Sequence, residues 1–278
     1  MKLGVIGKGF VGNAVISGMN HAFEVFFYDR HIKPIDSSIF SVAELVDAVD
    51  GPIFVCVPTP MKEDGSCDTS IVESVIDEID AVGKEQIVII KSTIVPGTTE
   101  RINNKSKHVK CVFNPEFLRE ANFLEDFAKQ DRIIIGGPHD AVDVVKQMYQ
   151  QAYPDVPTTK TSSTIAEMVK YVTNCFLATK VSFANEIYQI CQKLGIDYDK
   201  VVEYSTKDKR LGTSHWAVPG PDSKCGFGLA CFPKDLNALM CLAKELSIDP
   251  KVMNGVWEKN LEVRPEKDWE ELKGRVVV

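Results

Sequence analysis

A glycine-rich turn near the start of the chain narrows the possible folds most. Lys2-Leu3-Gly4-Val5-Ile6 reads as a buried strand, Gly7-Lys8-Gly9-Phe10-Val11-Gly12 follows at once, and apolar spacing predicts a helix over residues 11–19. Three glycines at this spacing mean little by themselves. Between a strand and a helix they describe a turn that receives a dinucleotide. Gly7 makes the tight bend, Gly9 lets a pyrophosphate approach the backbone, and Gly12 lets helix and strand pack closely. Gly7, Gly9, Phe10, Val11 and Gly12 are therefore expected cofactor contacts. A second strand is expected over residues 24–28, with Asp29 at its end. A carboxylate there accepts hydrogen bonds from ribose hydroxyls and repels a 2′-phosphate, which favours NAD over NADP. Arg30, next in the chain, offers a phosphate the opposite preference.

Further apolar runs over residues 53–57, 87–91, 110–113 and 132–135 predict four more strands, alternating with helical segments. The first of these, residues 53–57, is uniformly apolar, as suits a central parallel strand. Ligands of open parallel sheets bind beyond the carboxyl ends of the strands. Those ends carry Pro58-Thr59-Pro60, Ser92-Thr93 ahead of Val95-Pro96-Gly97, and Asn114-Pro115-Glu116-Phe117-Leu118-Arg119-Glu120. Thr59, Ser92 and Thr93 are candidate cofactor contacts, although a hydroxyl before a helix is often only a cap. Glu116 and Glu120 read either as a solvated helix start or as a general base and a ligand contact. The expected fold is α/β: a doubly wound parallel Rossmann sheet over residues 1–160, then an all-helical domain over residues 161–278.

The second region opens with Thr164-x-x-Glu167, a capping box. Ile165, Met168, Val169, Val172 and Phe176 mark one buried stripe of a helix that runs to Leu194 and is ended by Gly195. Its length suits a spine between domains or subunits. Lys170 and Asn174 stand four apart on a face away from Met168 and Val172. A lysine on a helix is usually a solvated charge; this pair can instead hold an alkoxide or carbonyl oxygen. Residues 207–224 read as a loop whose three lysines and one arginine, Arg210, meet a phosphate or face water.

Next comes Gly226-Phe227-Gly228-Leu229-Ala230-Cys231-Phe232-Pro233-Lys234-Asp235, with Leu236, Leu239, Met240, Ala243 and Leu246 at helical spacing. Pro233 suits the first helical position, where its missing N–H costs nothing. Cys231 therefore sits at a helix N-terminus, where the dipole and Lys234 favour thiolate over thiol. A small buried hydrophobe is the competing reading. Residues 250–261 suggest another short helix, and residues 272–278 the opening of a strand.

The 278 residues are 44% hydrophobic, which allows a sizeable core, and the net charge of −7 argues against a general nucleic-acid surface. Eight cysteines include no CxxC pair and are expected to be reduced, in a cytoplasmic compartment. The five histidines show no metal-ligand spacing, so no metal site is expected. No secretory signal is read at the N-terminus, and the apolar runs are too short for a membrane span.

With these pieces placed, the chain resembles the nucleotide-sugar dehydrogenases of the UDP-glucose/GDP-mannose dehydrogenase family over nearly its whole length. The resemblance rests on Gly7-x-Gly9-x-x-Gly12, Val57-Pro58-Thr59-Pro60, Lys91-Ser92-Thr93, the 114–120 segment, Lys170-x-x-x-Asn174 and Cys231-Phe232-Pro233-Lys234-Asp235. It implies a double oxidation of a sugar nucleotide at C6, using two NAD. Cys231 would capture the aldehyde as a thiohemiacetal, and the resulting thioester would be hydrolysed to the uronic acid. By the same resemblance, Lys170 and Asn174 stabilise the oxyanion, and Glu116 with Thr93 positions or deprotonates the hydrolytic water. Asp235 orients water or Lys170. Glu120 faces cofactor and substrate, and Lys234 serves the cofactor side. Phe117, Leu118, Arg210 and the Gly226-Phe227-Gly228 turn contact the sugar nucleotide. A homodimer through the helix near residues 164–194 is expected.

Two departures carry expectations of their own. Leu229 stands where relatives usually have glycine, so the turn is expected to be reshaped, because leucine is uncomfortable at positive φ. The chain also stops where the family's third domain, which binds much of the nucleotide, would begin. UDP-glucose is the expected substrate. GDP-mannose oxidation, a one-step hydroxyacid dehydrogenase and a non-catalytic NAD-binding module are the alternatives.

Overall fold

Short apolar strands and amphipathic helices alternate from residue 2 to residue 161. The computed structural model describes residues 1–32 and 39–278. In chain order the elements are β1 (Lys2–Ile6), α1 (Phe10–Met19), β2 (Glu24–Tyr28), α2 (Val42–Ala48), β3 (Ile53–Val55), α3 (Ser70–Ala81), β4 (Gln86–Ile90), α4 (Thr98–Lys105) and β5 (Val109–Phe113). They continue with α5 (Phe123–Ala128), β6 (Ile133–Gly136), α6 (His139–Ala152), β7 (Thr158–Thr161), α7 (Ser163–Leu194), α8 (Tyr198–Ser205), α9 (Phe232–Glu245) and α10 (Lys251–Val263). The chain divides into two compact units, Met1–Thr59 with Asp68–Lys170, and Pro60–Cys67 with Tyr171–Val278. Pro60–Cys67, placed in the first domain by the sequence reading, goes with the second unit.

The first unit holds a sheet of order β2-β1-β3-β4-β5-β6-β7. Successive side chains point to opposite faces, and both faces are apolar. Leu3, Val5, Phe54, Ile89 and Val112 meet α1, α5 and α6 on one side. Ile6, Ile53, Val55, Val88 and Ile90 meet α2, α3 and α4 on the other. This is the doubly wound α/β arrangement expected. The sheet is mixed, however, rather than wholly parallel. β1 to β5 are mutually parallel, β6 joins β5 antiparallel through Phe113 and Gly136, and β7 runs parallel to β6. The segment after β5 does not complete a crossover. Its helix α5 packs on α1, with Phe123 edge-on to Phe10 at 5.2 Å between ring centroids. β7 escaped the sequence reading because Thr158-Thr159-Lys160-Thr161 is a polar edge strand with no apolar alternation. β3 ends at Val55, so Cys56 and Val57 already belong to the loop.

The expected capping box at the start of α7 is not formed. Ile165 N–H donates to the Ser162 hydroxyl instead. Glu167 is fully buried and caps a different helix: it accepts hydrogen bonds from Gly97 N–H (2.6 Å), Thr99 N–H (2.8 Å) and the Thr99 hydroxyl (2.6 Å) at the head of α4. These N–H groups have no partner within α4, and a carboxylate is their best one.

The second unit is helical, as expected. α7 continues into it, and Tyr171, Cys175 and Ala178 pack with Leu236, Met240 and Val256 from α9 and α10. The expected buried stripe of α7 is reversed. Ile165, Met168, Val172 and Phe176 are exposed, Phe176 at 63%, while the face bearing Ala166, Lys170, Tyr171 and Asn174 is buried. Periodicity identified an apolar face but assigned it to the wrong side. Residues 272–278 form no strand. Met61 N–H donates to Val276 O at 2.6 Å, and single bridges join Val277 to Met61 and to Lys273. No helix among the described residues is long and apolar enough to cross a membrane.

Candidate active site

The glycine turn is dictated by close backbone approaches. Gly7 has φ +91°, and its N–H donates to Tyr28 O at 3.0 Å. A Cβ on Gly12 would lie 1.9 Å from Gly7 O, so α1 can sit this close to β1 only with glycine there. A Cβ on Gly9 would meet nothing within 4 Å. Phe10 and Val11 follow as the opening of α1. At the end of β2, Asp29 accepts hydrogen bonds from Lys8 N–H (2.7 Å) and His31 N–H (2.8 Å), which fixes its carboxylate beside the turn.

Beyond the next strand ends, Thr59, Ser92 and Thr93 are buried, and the Ser92 hydroxyl donates to Val57 O at 2.6 Å. The 114–120 segment after β5 carries the densest charge. Glu116 and Lys170 are both buried. Lys170 Nζ donates to Glu116 Oε1 at 2.7 Å and to Glu116 O at 2.6 Å, and Leu118 N–H donates to Glu116 Oε2 at 2.7 Å. Burial works to raise the Glu116 carboxyl. The Lys170 charge and hydrogen bond, the Leu118 N–H and the Lys91 charge outweigh that and hold it below the ordinary carboxylate range. Phe117 lies under the Arg132 guanidinium at 4.2 Å and within 5.7 Å of Lys170 Nζ. Leu118 packs on the apolar face next to α1 and α6. Glu120 opens a 3₁₀ turn, Glu120–Asn122.

In the second unit, Cys231 stands at the N-terminal cap of α9, where its carbonyl accepts Asp235 N–H at 3.0 Å. Asp235 is buried, and its two oxygens are taken by Asn174 Nδ2 at 2.6 Å and Lys234 Nζ at 2.5 Å. Burial works against the Lys234 charge. Asp235 outweighs it, with Cys231 and Cys67, so Lys234 stands above the ordinary lysine range. An ammonium kept charged next to a cysteine favours the thiolate, the form that acts as nucleophile.

The turn before Cys231 rests on α10 residues that sequence reasoning missed. Asn260 accepts Phe227 N–H at 2.7 Å and donates to Phe227 O at 2.9 Å. Gly226 has φ +68°, and a Cβ on Gly228 would meet the Arg264 guanidinium and Asp268 within 2.5 Å. Arg264, 1% exposed, donates to Asp222 at 2.6 Å and to Asp268 at 2.5 Å. A signal existed: Val256, Asn260 and Arg264 repeat every four residues, which puts Asn260 on the inward stripe of α10 and Arg264, its C-terminal cap, in line with it. Leu229 takes the left-handed backbone conformation in spite of its side chain. It adopts φ +58° itself, with its side chain 46% exposed. Arg210 is exposed and holds Asp208 at 2.5 Å.

Residues 40–153 match the NAD binding domain of the UDP-glucose/GDP-mannose dehydrogenase family, and residues 164–262 match its central domain. The chain belongs to the UDP-glucose/GDP-mannose dehydrogenase family. A UDP-glucose 6-dehydrogenase of Rickettsia bellii is 38% identical, over 76% of this chain and 49% of its own length. A putative UDP-glucose 6-dehydrogenase of Bacillus subtilis is 33% identical, over 94% of this chain and 67% of its own length. The chain thus spans about half to two thirds of the length of these curated relatives. The structure of a UDP-glucose dehydrogenase from Pyrobaculum islandicum matches with a TM-score of 0.83 at 32% identity, covering 94% of this chain and 68% of that one.

The residues present fit the cofactor of this family. The open space at Gly9 admits a diphosphate to the turn, and the Asp29 carboxylate stands where ribose hydroxyls would need an acceptor. Among the described residues, no group of three or more His, Cys, Asp or Glu is placed to hold a metal ion.

Proposed function

We propose that this protein oxidises a nucleotide sugar at C6 with NAD, converting UDP-glucose to UDP-glucuronate through a covalent bond to Cys231. The single observation that carries this reading is the cysteine at the head of α9 beside the buried Asn174–Asp235–Lys234 chain. A one-step hydroxyacid oxidation has no use for such a nucleophile. The names of the relatives point to the same substrate.

In this reading NAD, when bound, accepts one hydride in each of two rounds. Lys170 and Asn174 hold the C6 oxygen as its charge develops. The Cys231 sulfur adds to the C6 aldehyde, so the carbon stays in place for the second oxidation. Glu116, kept ionised, takes a proton from the water that cleaves the thioester, and Thr93 helps to place that water. The balance is one alcohol, one water and two NAD in, one carboxylic acid, two NADH and two protons out. Asp235 orients Asn174 and Lys234. Thr59, Ser92, Glu120 and the glycine turn serve the cofactor side, and Phe117, Leu118, Arg210 and Gly226-Phe227-Gly228 the sugar nucleotide. The exposed apolar residues of α7 support a homodimer through that helix. Eight free cysteines support a reducing, cytoplasmic setting.

The test is stoichiometric. Purified protein should form two NADH per UDP-glucose consumed, and Cys231→Ser should cut uronic acid formation at least about 1,000-fold, as expected on losing an essential nucleophile. One NADH per substrate, or a Ser variant with unchanged output, would overturn the thioester route.

A further inference from the structure

Lys91 is a buried charge for which the proposed reaction has no role. It follows directly on β4, is 4% exposed, and the residue before it, Ile90, pairs with Phe113, after which β5 leads into the 114–120 segment. Its Nζ donates to Asn114 Oδ1 at 2.9 Å and reaches Pro115 O at 3.5 Å. Asn114 is a junction. Its Oδ1 also accepts the Tyr149 hydroxyl at 2.6 Å, its Nδ2 donates to Ile134 O at 2.7 Å, and its N–H donates to Ile90 O at 3.0 Å. Lys170, from α7, takes the next carbonyl along, Glu116 O. Two ammonium groups from different elements thus reach consecutive peptide carbonyls, and a single carboxylate, Glu116, lies between their influence.

We propose that Lys91 is a positioning residue for the Glu116–Lys170 pair, holding the Asn114–Pro115 backbone from which Glu116 projects and keeping the Glu116 carboxyl ionised. A buried ammonium needs compensation, and a site that spends two of them on one carboxylate carries a net positive charge. Such a site favours negative charge developing on a bound oxygen. The titratable groups facing Lys91 are Cys56, Glu116, Lys170 and Tyr149. Burial pushes the Cys56 thiol up to about 12 and the Tyr149 hydroxyl well above its usual value, so both stay neutral near pH 7. Burial also brings Lys91 down to about 8, against the opposing pull of Cys56 and Glu116, with Lys170 adding to the fall.

The deciding experiment is a carboxyl-carbon NMR titration of glutamate-labelled full chain, with the Glu116 resonance assigned by its loss in Glu116→Gln. In Lys91→Met, Glu116 should titrate at higher pH than in the parent. In Tyr149→Phe, which loosens Asn114 but leaves the cation, it should not move. If Lys91→Met does not fold, Lys91→Gln carries the same test. An unmoved Glu116 in the Lys91 variant, or an equal shift in Tyr149→Phe, overturns the proposal. A kinetic arm rests on the reading of Glu116 as a reacting group. There, Lys91→Met should lower kcat about 10- to 100-fold with KM for UDP-glucose within about threefold, as when a reacting group is slightly misplaced. Full activity in Glu116→Gln would count against that reading of the site, whereas an inactive Glu116→Gln with full activity in Lys91→Met would count against Lys91 alone.

Discussion

Leu229 holds a backbone conformation that L-residues avoid, with φ at +58°. The left-handed region costs a leucine about 1–2 kcal/mol, and glycine enters it freely. The turn is nevertheless kept, because its neighbours are pinned: Phe227 by both atoms of the Asn260 amide, Gly228 by the Arg264–Asp268 pair. The strain is therefore stored at one exposed side chain. Leu229→Gly should stabilise the protein by about 0.5–1 kcal/mol, the relief of strain less the extra entropy that glycine gives the unfolded chain. The check is a urea unfolding midpoint. A lower midpoint in the glycine variant would show that the leucine side chain contributes more than its backbone costs.

At the scale of elements, α3 and α4 are joined by a clamp. Arg101 makes a two-pronged contact with Glu73 at 2.8 and 3.0 Å, and the Thr69 hydroxyl donates to the same carboxylate at 2.6 Å. The Arg101 hydrogen bonds outweigh burial and, with Thr69, hold Glu73 down to about 2, below its ordinary 4.5. A carboxyl depressed in the folded state stabilises above its unfolded value, and that contribution fades as the pH falls through the folded one. The stability gap between the parent and Glu73→Gln should therefore be full at pH 6 and shrink steadily between about pH 5 and pH 2. Thermal unfolding across that range measures it, and a constant gap would dismiss the clamp. These elements were legible in the sequence wherever local chemistry forces the outcome. Gly7 and Gly12 bear their backbone demands in their identity, and the apolar strands β1 and β4 show theirs in their composition. What was not legible depended on distant partners. Glu167 looked like a cap for its own helix because the α4 N-terminus it serves lies 68 residues away. β7 has no pattern to read, and Asn260 and Arg264 disclose their task only once the turn they hold is in place.

For the molecule as a whole, the apolar face of α7 is the largest unsettled balance. Ile165, Met168, Val172 and Phe176 are exposed, and Phe183, Ile190 and Leu194 continue the exposure along the helix. A helix that leaves so many large apolar side chains in water needs a covering surface. The proposed homodimer would meet the need through the same residues, since a two-fold interface is self-complementary. Phe176→Glu with Val172→Glu should convert a dimer into a monomer, read by light scattering on a sizing column. A parent that is already monomeric would overturn the dimer, and a variant that stays dimeric would place its interface elsewhere. The sequence pattern was correct in finding this stripe and could not say whether protein core or a neighbouring copy faces it, since both reward the same residues.

The empty volume around Gly9 has one more implication. Since a methyl group there would touch nothing, the folded chain itself has no reason to refuse alanine. A dinucleotide seated in the turn would supply that reason, so alanine at position 9 should leave the fold standing and weaken only the hold on a guest.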